Sequence, residues 1–436
     1  MPVIRVASYL GVGLWAVLGC AGTVRAYDDS QYEQPPILYS QSKPTDPVAQ
    51  LQERLEQGKL EWPGSAVPGF LPALLTQLDI PVSSQALVFS KTSVQKNKIS
   101  PATPRAIYFN DDVYVGVVQH SNIIEIASMD PNLGAIFYTL NHEPHEKARL
   151  TRQTNNCLQC HDNSVQCFGL PGLLVRSLYT DDDGEPRFNL GGFRTTDRSP
   201  FNERWGGWYV SGTHGSMRHL GNVTYTDNPD LKPLVEQGAN KTSLKDLADL
   251  SSYLTDTSDI VALMVLEHQA YTHNVITRAN FETRRALLQN EEIQKLNGKP
   301  VEELTQGLRS RIRANCEPVV EALLFSEEAV LSAPVRGVSN FQKEFEQRGP
   351  FDEKQRSLRQ FDLNRRMFKY PCSYLIYSKS FRALPPMALD YIYGRLWEIL
   401  SGRDASKPFA HLSEDDRANI AQILRATMPE LAAKWK

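Results

Sequence analysis

Two periods of hydrophobic and polar residues divide this chain. Between residues 86 and 140 the apolar positions come in short β-branched and aromatic runs at 86–90, 106–109, 113–118, 123–126 and 134–138. Asn110-Asp111-Asp112, His120-Ser121-Asn122 and Asp130-Pro131-Asn132 lie between them, so the pattern predicts an antiparallel meander. Glycine and aspartate punctuate 181–222, where 208–211 and 222–225 read as further strands. From about Leu231 the spacing becomes helical. Ser258-Asp259 caps a long helix whose stripe is Ile260, Met264, Tyr271 and Val275, and further helices are expected at 301–331, 353–368, 386–401 and 413–426. Pro385-Pro386 opens one of these, and Ser413 with Asp416 suits a cap on another.

Before the meander, residues 27–45 are rich in Tyr, Gln, Pro and Ser and read as an extended arm. Thr45-Asp46-Pro47 then starts a helix to about Gly58, and a second short helix is expected at 71–78. At the N-terminus, Arg5 precedes an apolar run over 6–18 and small residues ending in Val24-Arg25-Ala26. This reads as a secretory signal peptide at 1–26, its apolar run too short to span a bilayer. Lipoprotein processing at Cys20 is the less favoured alternative, because Leu18 is bulky where a small residue is preferred. The expected architecture is therefore α+β: a signal at 1–26, an arm with short helices at 27–85, a β-rich segment at 86–230 and a mainly helical region at 231–436.

The formal net charge is −3 with 22% charged residues, and no basic stripe points to nucleic acid. No segment after the signal is apolar enough for a membrane span. These features leave a periplasmic protein, too long for a minimal cofactor carrier.

The sharpest chemistry lies in Cys157-Leu158-Gln159-Cys160-His161, a C-x-x-C-H pattern that attaches a c-type haem. Two thiols one helical turn apart can form thioethers with the two vinyl groups of one porphyrin, and the following imidazole can ligate the iron. With 6 Cys and 9 His in 436 residues, the pattern arises by chance in roughly one such chain in 600. A zinc knuckle would want a second ligand pair, and none is evident. A thioredoxin-like pair would want a strand-to-helix turn, whereas this motif follows a basic and polar run over 146–156. Cys167, Cys316 and Cys372 are odd in number, so no complete disulfide framework exists, and buried free thiols are expected.

With His161 as proximal ligand, the sixth ligand decides the chemistry. The densest set of candidates is 212–221, with His219 the first choice, His214 the second and Met217 behind them. It follows Arg204-Trp205-Gly206-Gly207-Trp208. Trp205 and Trp208 could wall a porphyrin, and Arg204 or Arg218 could pair with its propionates. His268 on the long helix is a rival, although a histidine in such a stripe is more often a core residue. Its neighbours Glu267, His273 and Asn274 suggest a metal site, but His268 and His273 are five apart and face different ways. His120, His142, His145 and His411 sit in polar surroundings and read as surface residues.

Several blocks along the mature chain carry a resemblance: 32–37, 87–93, 108–116, 155–161, 206–210 and Tyr370-Pro371-Cys372-Ser373-Tyr374-Leu375-Ile376-Tyr377. Together they resemble an uncharacterised family of exported bacterial cytochrome c domain proteins. That resemblance implies one covalent haem c and electron transfer with a redox partner protein. It implies no substrate and assigns no distal ligand; Cys372 reads as core. Three functions are consistent with the sequence: a periplasmic electron-transfer cytochrome, a haem enzyme (a peroxidase or small-molecule oxidoreductase) with an open or labile iron position, and a haem-based sensor.

Overall fold

A computed structural model describes residues 30–435 apart from 61–69, 142–148, 164, 166 and 228. The signal expected at 1–26, with Cys20, and His142 and His145 lie outside the described residues. The chain is α+β, with a seven-stranded antiparallel sheet and eleven α-helices among the described residues, most of them in the C-terminal part.

Residues 30–45 are not an extended arm: a 3-10 turn at Gln31–Glu33 and further turns bury Tyr32, Ile37 and Tyr39 in the core, and the segment leads into α1 (Pro47–Glu56) and α2 (Phe70–Gln77). Asp46 caps α1 by accepting from the Val48 and Ala49 amides, and Pro47 opens the first turn. The meander follows as β1 (Ala86–Val88), β2 (Arg105–Phe109), β3 (Val113–Val117), β4 (Ile123–Asp130), β5 (Gly134–Asn141) and β6 (Arg149–Gln153). Its turns are built by side chains. Asn110 Oδ1 accepts from the Asp112 and Val113 amides, and Asp130 Oδ1 from the Asn132 and Leu133 amides. Gly134, at φ 69°, completes the second turn where a side chain would be strained.

Next come α3 (Leu158–His161), a two-stranded hairpin of β7 (Arg176–Leu178) and β8 (Gly192–Arg194), and β9 (Trp208–Tyr209). The sheet order is β6-β5-β4-β3-β2-β1-β9, so β9 returns to pair with β1 at the far edge. The helices are α4 (Leu231–Gly238), α5 (Ile260–Leu296), α6 (Gln306–Leu323), α7 (Phe341–Glu346), α8 (Lys379–Arg382), α9 (Pro386–Leu400), α10 (Glu414–Thr427) and α11 (Pro429–Lys434). No described helix is long and apolar enough to cross a membrane. One buried apolar cluster runs from Tyr32 through the sheet and α5 to Trp435, so the β-rich and helical regions share a core.

Three further expected elements differ. Residues 149–153 of the polar run before the motif form β6, an edge strand that pairs with β5 alone. Residues 222–225 make no ladder; Asn222 stands at φ 70° and Tyr225 donates instead to the Thr180 carbonyl. Residues 353–368 are not a helix. Asp352 Oδ1 accepts from the Lys354 and Arg356 amides, Gln355 and Leu363 have positive φ, and Phe361 bridges Phe368. Arg359 explains the outcome: it lies between the rings of Phe345 and Tyr374, at 4.8 and 4.4 Å, and pairs with Asp111. These tertiary contacts override a good local helix pattern.

Helix α5 is the axis of the molecule. Asp259 caps it through the Val261 amide and also accepts from the Val338 and Ser339 amides. Its first half is buried nearly all round, wider than the stripe expected from sequence. Buried polar residues there hold several separate loops. Glu267 pairs with Arg204 at 3.0 Å, and His268 meets Ser373 Oγ at 2.8 Å and Asp197 at 3.3 Å. Gln269 bonds the Asn110 carbonyl, Tyr114 and Tyr374, and His273 Nε2 donates to the Asp111 carbonyl at 2.7 Å.

Burial lowers the His273 pKa from its ordinary 6.5 to about 4. Between these values the unfolded chain takes up a proton that the folded chain refuses, so stability is full above about pH 6.5 and falls as pH drops towards 4. His273→Gln should remove about 1.4 kcal/mol per pH unit from that slope. Urea unfolding at pH 4.5 to 6.5 measures it; parallel slopes for the two proteins would refute the assignment.

Candidate functional site

The Cys-x-x-Cys-His residues sit where β6 leaves the sheet. Leu158 is buried and anchors α3, while Cys157 is half-buried and Cys160 exposed. Cys157 precedes the helix, and its carbonyl accepts from the Cys160 and His161 amides. The two cysteines are unpaired. Burial, with Glu125 nearby, pushes the Cys157 thiol up to about 11.

His161 is held on both sides. Its ring lies 4.6 Å from Phe137 of β5, centroid to centroid, and its Nδ1 is 2.9 Å from the Gly172 carbonyl. A carbonyl oxygen only accepts, so Nδ1 carries the proton and the lone pair of the neutral ring is on Nε2. Nε2 has no hydrogen-bond partner among the described residues. Burial, with Arg105 and Arg176 nearby, lowers the His161 pKa to about 4, against the Gly172 hydrogen bond and Glu125, which raise it. The ring is therefore neutral, and a metal ligand needs that state.

Gly172 is positioned in turn. Its amide donates to the His161 carbonyl at 2.9 Å, closing a loop over 161–172. The next residue, Leu173, exchanges two 2.8 Å hydrogen bonds with the Asn274 side chain of α5. A Cβ on Gly172 would meet Asn274 Oδ1 at 2.7 Å and Cys167 Cβ at 3.0 Å, so only glycine fits there. Beside the motif, Tyr32 donates to Asp162 at 2.9 Å. On the sheet, Arg105 pairs with Glu125 at 2.7 Å across the place a side chain would occupy at Gly116.

The loop over 212–221 is largely interior, with Gly215 and Ser216 exposed. His214, Met217 and His219 are buried, with Trp205 and Phe201 packed against the histidine rings. His214 Nδ1 donates to the Met217 carbonyl at 2.8 Å, and Nε2 accepts from the Asn240 amide at 3.0 Å. His219 Nδ1 accepts from the Gly221 amide at 3.0 Å, which leaves the proton on a buried Nε2 without a partner. Each ring's single lone pair is thus occupied. Arg204 is buried against Glu267 and the Asp197 and Ser199 carbonyls, and Arg218 pairs with Glu236 at 2.7 Å. Trp208 alone of this set reaches towards the motif: its indole donates to the carbonyl of Arg176, whose charge acts on His161. His268 is engaged by Ser373 and Asp197, and His411 Nε2 donates to the Leu324 carbonyl.

No three metal-ligating side chains cluster among the described residues. No known family, curated protein or solved structure matches the chain. Gly172, Asn274 and Phe137 were not legible as site residues; the only hint was Asn274 in the polar run of the long helix.

Asn274→Ala should destabilise the protein by about 1–3 kcal/mol, because the Leu173 amide and carbonyl lose their buried partners. Denaturant unfolding tests this; an unchanged midpoint would show that the pin contributes nothing.

Proposed function

We propose that the chain is an exported, periplasmic c-type cytochrome that carries one covalent haem c and relays electrons to a redox partner protein. The observation that carries this reading is the state of His161: protonated on Nδ1 by its bond to Gly172, it offers an Nε2 lone pair directly after two unpaired cysteines on one turn. Metal-ligating histidines usually hold their other nitrogen in this way. Cys157 and Cys160 would form the thioethers and His161 the proximal bond, and the bound haem supplies reversible one-electron chemistry at its iron. Gly172 and Asn274 hold the imidazole and fix its tautomer. Phe137 limits its rotation, and the Arg105–Glu125 pair sets the local charge.

The same residues speak against thiol–disulfide exchange. A reactive Cys-x-x-Cys pair needs a lowered thiol pKa, and burial moves Cys157 the other way. The resemblance set out from the sequence and the signal segment at 1–26 agree with assembly of the haem after export.

A second reading, a haem enzyme with an open or labile iron position, gains from the occupied lone pairs of His214 and His219. Magnetic circular dichroism and peroxide binding separate the two: a low-spin ferric haem inert to peroxide supports the relay, and a high-spin reactive one the enzyme.

Protein purified from a maturation-competent host should exceed the mature chain's mass by one haem. Cys157→Ser/Cys160→Ser should lack the adduct, and His161→Ala should lose the wild-type iron ligation. His214→Ala and His219→Ala should leave the ligand bands unchanged, as their lone pairs are engaged within the fold. A colourless wild type without the added mass would overturn the proposal.

A further inference from the structure

Beyond α6 the chain lines a cavity of about 340 Å³, a size typical of small-molecule sites. Its floor and one wall come from 325–330, directly after α6. Its rim comes from Arg365, Arg366 and the 411–416 segment that opens α10. The wall is pinned to its neighbours. The Ala329 amide donates to the Asp197 carbonyl at 2.9 Å, the Leu331 amide to the Arg365 carbonyl at 3.0 Å, and the Phe325 ring stacks on His268 at 4.2 Å. Phe325 and Glu327, on either side of Ser326, both stand in left-handed backbone, at φ 53° and 64°. Each such residue costs on the order of 1–3 kcal/mol, a strain that gathers at ligand sites.

The charges around the cavity cancel in pairs, with one exception. Arg366 forks onto Asp416 at 2.6 and 3.1 Å, Arg365 reaches Asp362 at 3.4 Å, and Glu327 meets Arg198 at 3.8 Å. Glu328 has no such partner. Its Oε1 accepts from the Met367 amide at 2.7 Å, and its Oε2 has neither a hydrogen bond nor an ion pair among the described residues. The side chain is half-buried and lines the cavity. Burial pushes the Glu328 pKa up to about 8 against the Met367 hydrogen bond; Asp197 adds to the rise, while Arg204 and Arg366 oppose it. On the rim, burial lowers the His411 pKa, which leaves that ring neutral at pH 7.

We propose that this cavity binds a small organic ammonium ion, with its charged group on Glu328 and its aliphatic part against Ala329 and Val330. A divalent metal would want several oxygen ligands, and no three metal-ligating side chains gather among the described residues. An ammonium brings three donors and needs one strong counter-charge. Val330, 78% exposed, offers apolar surface at the mouth. Binding sends the Glu328 proton to water and leaves an ion pair, so cation and proton compete for one oxygen.

Calorimetric titration of the full mature protein with putrescine tests this, with malonate as the anionic arm. Because the proton competes, putrescine affinity should rise about tenfold from pH 6 to pH 7 and level off above pH 8. Titrations at pH 7 in buffers of different ionisation enthalpy should show about one proton released per putrescine bound. Glu328→Gln keeps the acceptor for the Met367 amide. It should weaken binding by about tenfold or more at pH 8 and abolish both the pH dependence and the proton release. Absence of putrescine binding, binding without proton release, binding unchanged in Glu328→Gln, or tighter binding of malonate overturns the proposal. If Glu328→Gln fails to accumulate, Val330→Lys on the exposed rim sets a tethered ammonium at the mouth and should weaken putrescine binding about tenfold; an unchanged affinity there overturns the proposal as well. None of these readouts depends on a bound haem.

Discussion

The polar run at the centre of α5 is the constraint on which the rest of the structure depends. A helix buried on nearly all sides would ordinarily be apolar throughout. Here Glu267, His268, Gln269, His273 and Asn274 are buried, and between them they engage four separate segments. Loops that enter a core bring backbone amides and carbonyls that need partners. The Asn110–Asp111 turn, the 197–204 segment, the Tyr370-Pro371-Cys372-Ser373 block and Leu173 find theirs on one helix. Removing a single partner would expose the full desolvation cost of the group left behind, about 1–3 kcal/mol for a neutral one and more for Glu267. The sheet and the helical half are thereby locked to a common axis, and the loop that holds His161 is one of the things locked.

Counting lone pairs separates the histidines better than counting histidines. A neutral imidazole has one donor and one acceptor nitrogen, and a coordinate bond to iron requires the acceptor to be free. His214 and His219 each accept a backbone amide, from Asn240 and Gly221. His268 is held between a serine and an aspartate. His161 differs from these because its fold partner is a carbonyl, which accepts the Nδ1–H hydrogen bond and leaves the Nε2 lone pair; His273 and His411 also donate to carbonyls, but only His161 directly follows two cysteines. Sequence clustering drew attention to 212–221, since two histidines, a methionine and flanking glycines look like a ligand loop. The same glycines serve packing instead: a Cβ on Gly212 would collide with Ile260, and one on Gly221 with the Trp205 and Trp208 carbonyls.

Much of the fold was legible where periodicity and turn chemistry agree. The strands from β1 to β5, the capped starts of α1, α5 and α10, and the Pro-led α9 all lie close to their expected positions, because each is encoded within a few residues. Where distant contacts decide, local signals failed. Arg359, drawn between Phe345 and Tyr374 towards Asp111, unmakes a helix over 353–368. Strand β6 hides among charged residues because it is an edge strand that needs little apolar content. In the site, Cys157, Cys160 and His161 declare themselves by spacing, whereas Gly172 and Asn274 act through a backbone carbonyl a hundred residues from the helix that pins it. No local pattern encodes such a link.

That link also bears on the proposed electron relay. Electron transfer at a fixed centre is easiest when the ligand shell moves little between oxidation states. Here the imidazole packs at a tilt against Phe137, is hydrogen-bonded to Gly172 and is tied through Leu173 to the buried half of α5. Thiol exchange requires the opposite, an accessible thiolate and room for a partner disulfide. Cys157 is half-buried with its thiol held protonated at neutral pH. A rigid imidazole beside an unreactive thiol suits a centre built once and then kept still. The mass of helix around α5 is what holds that imidazole in place.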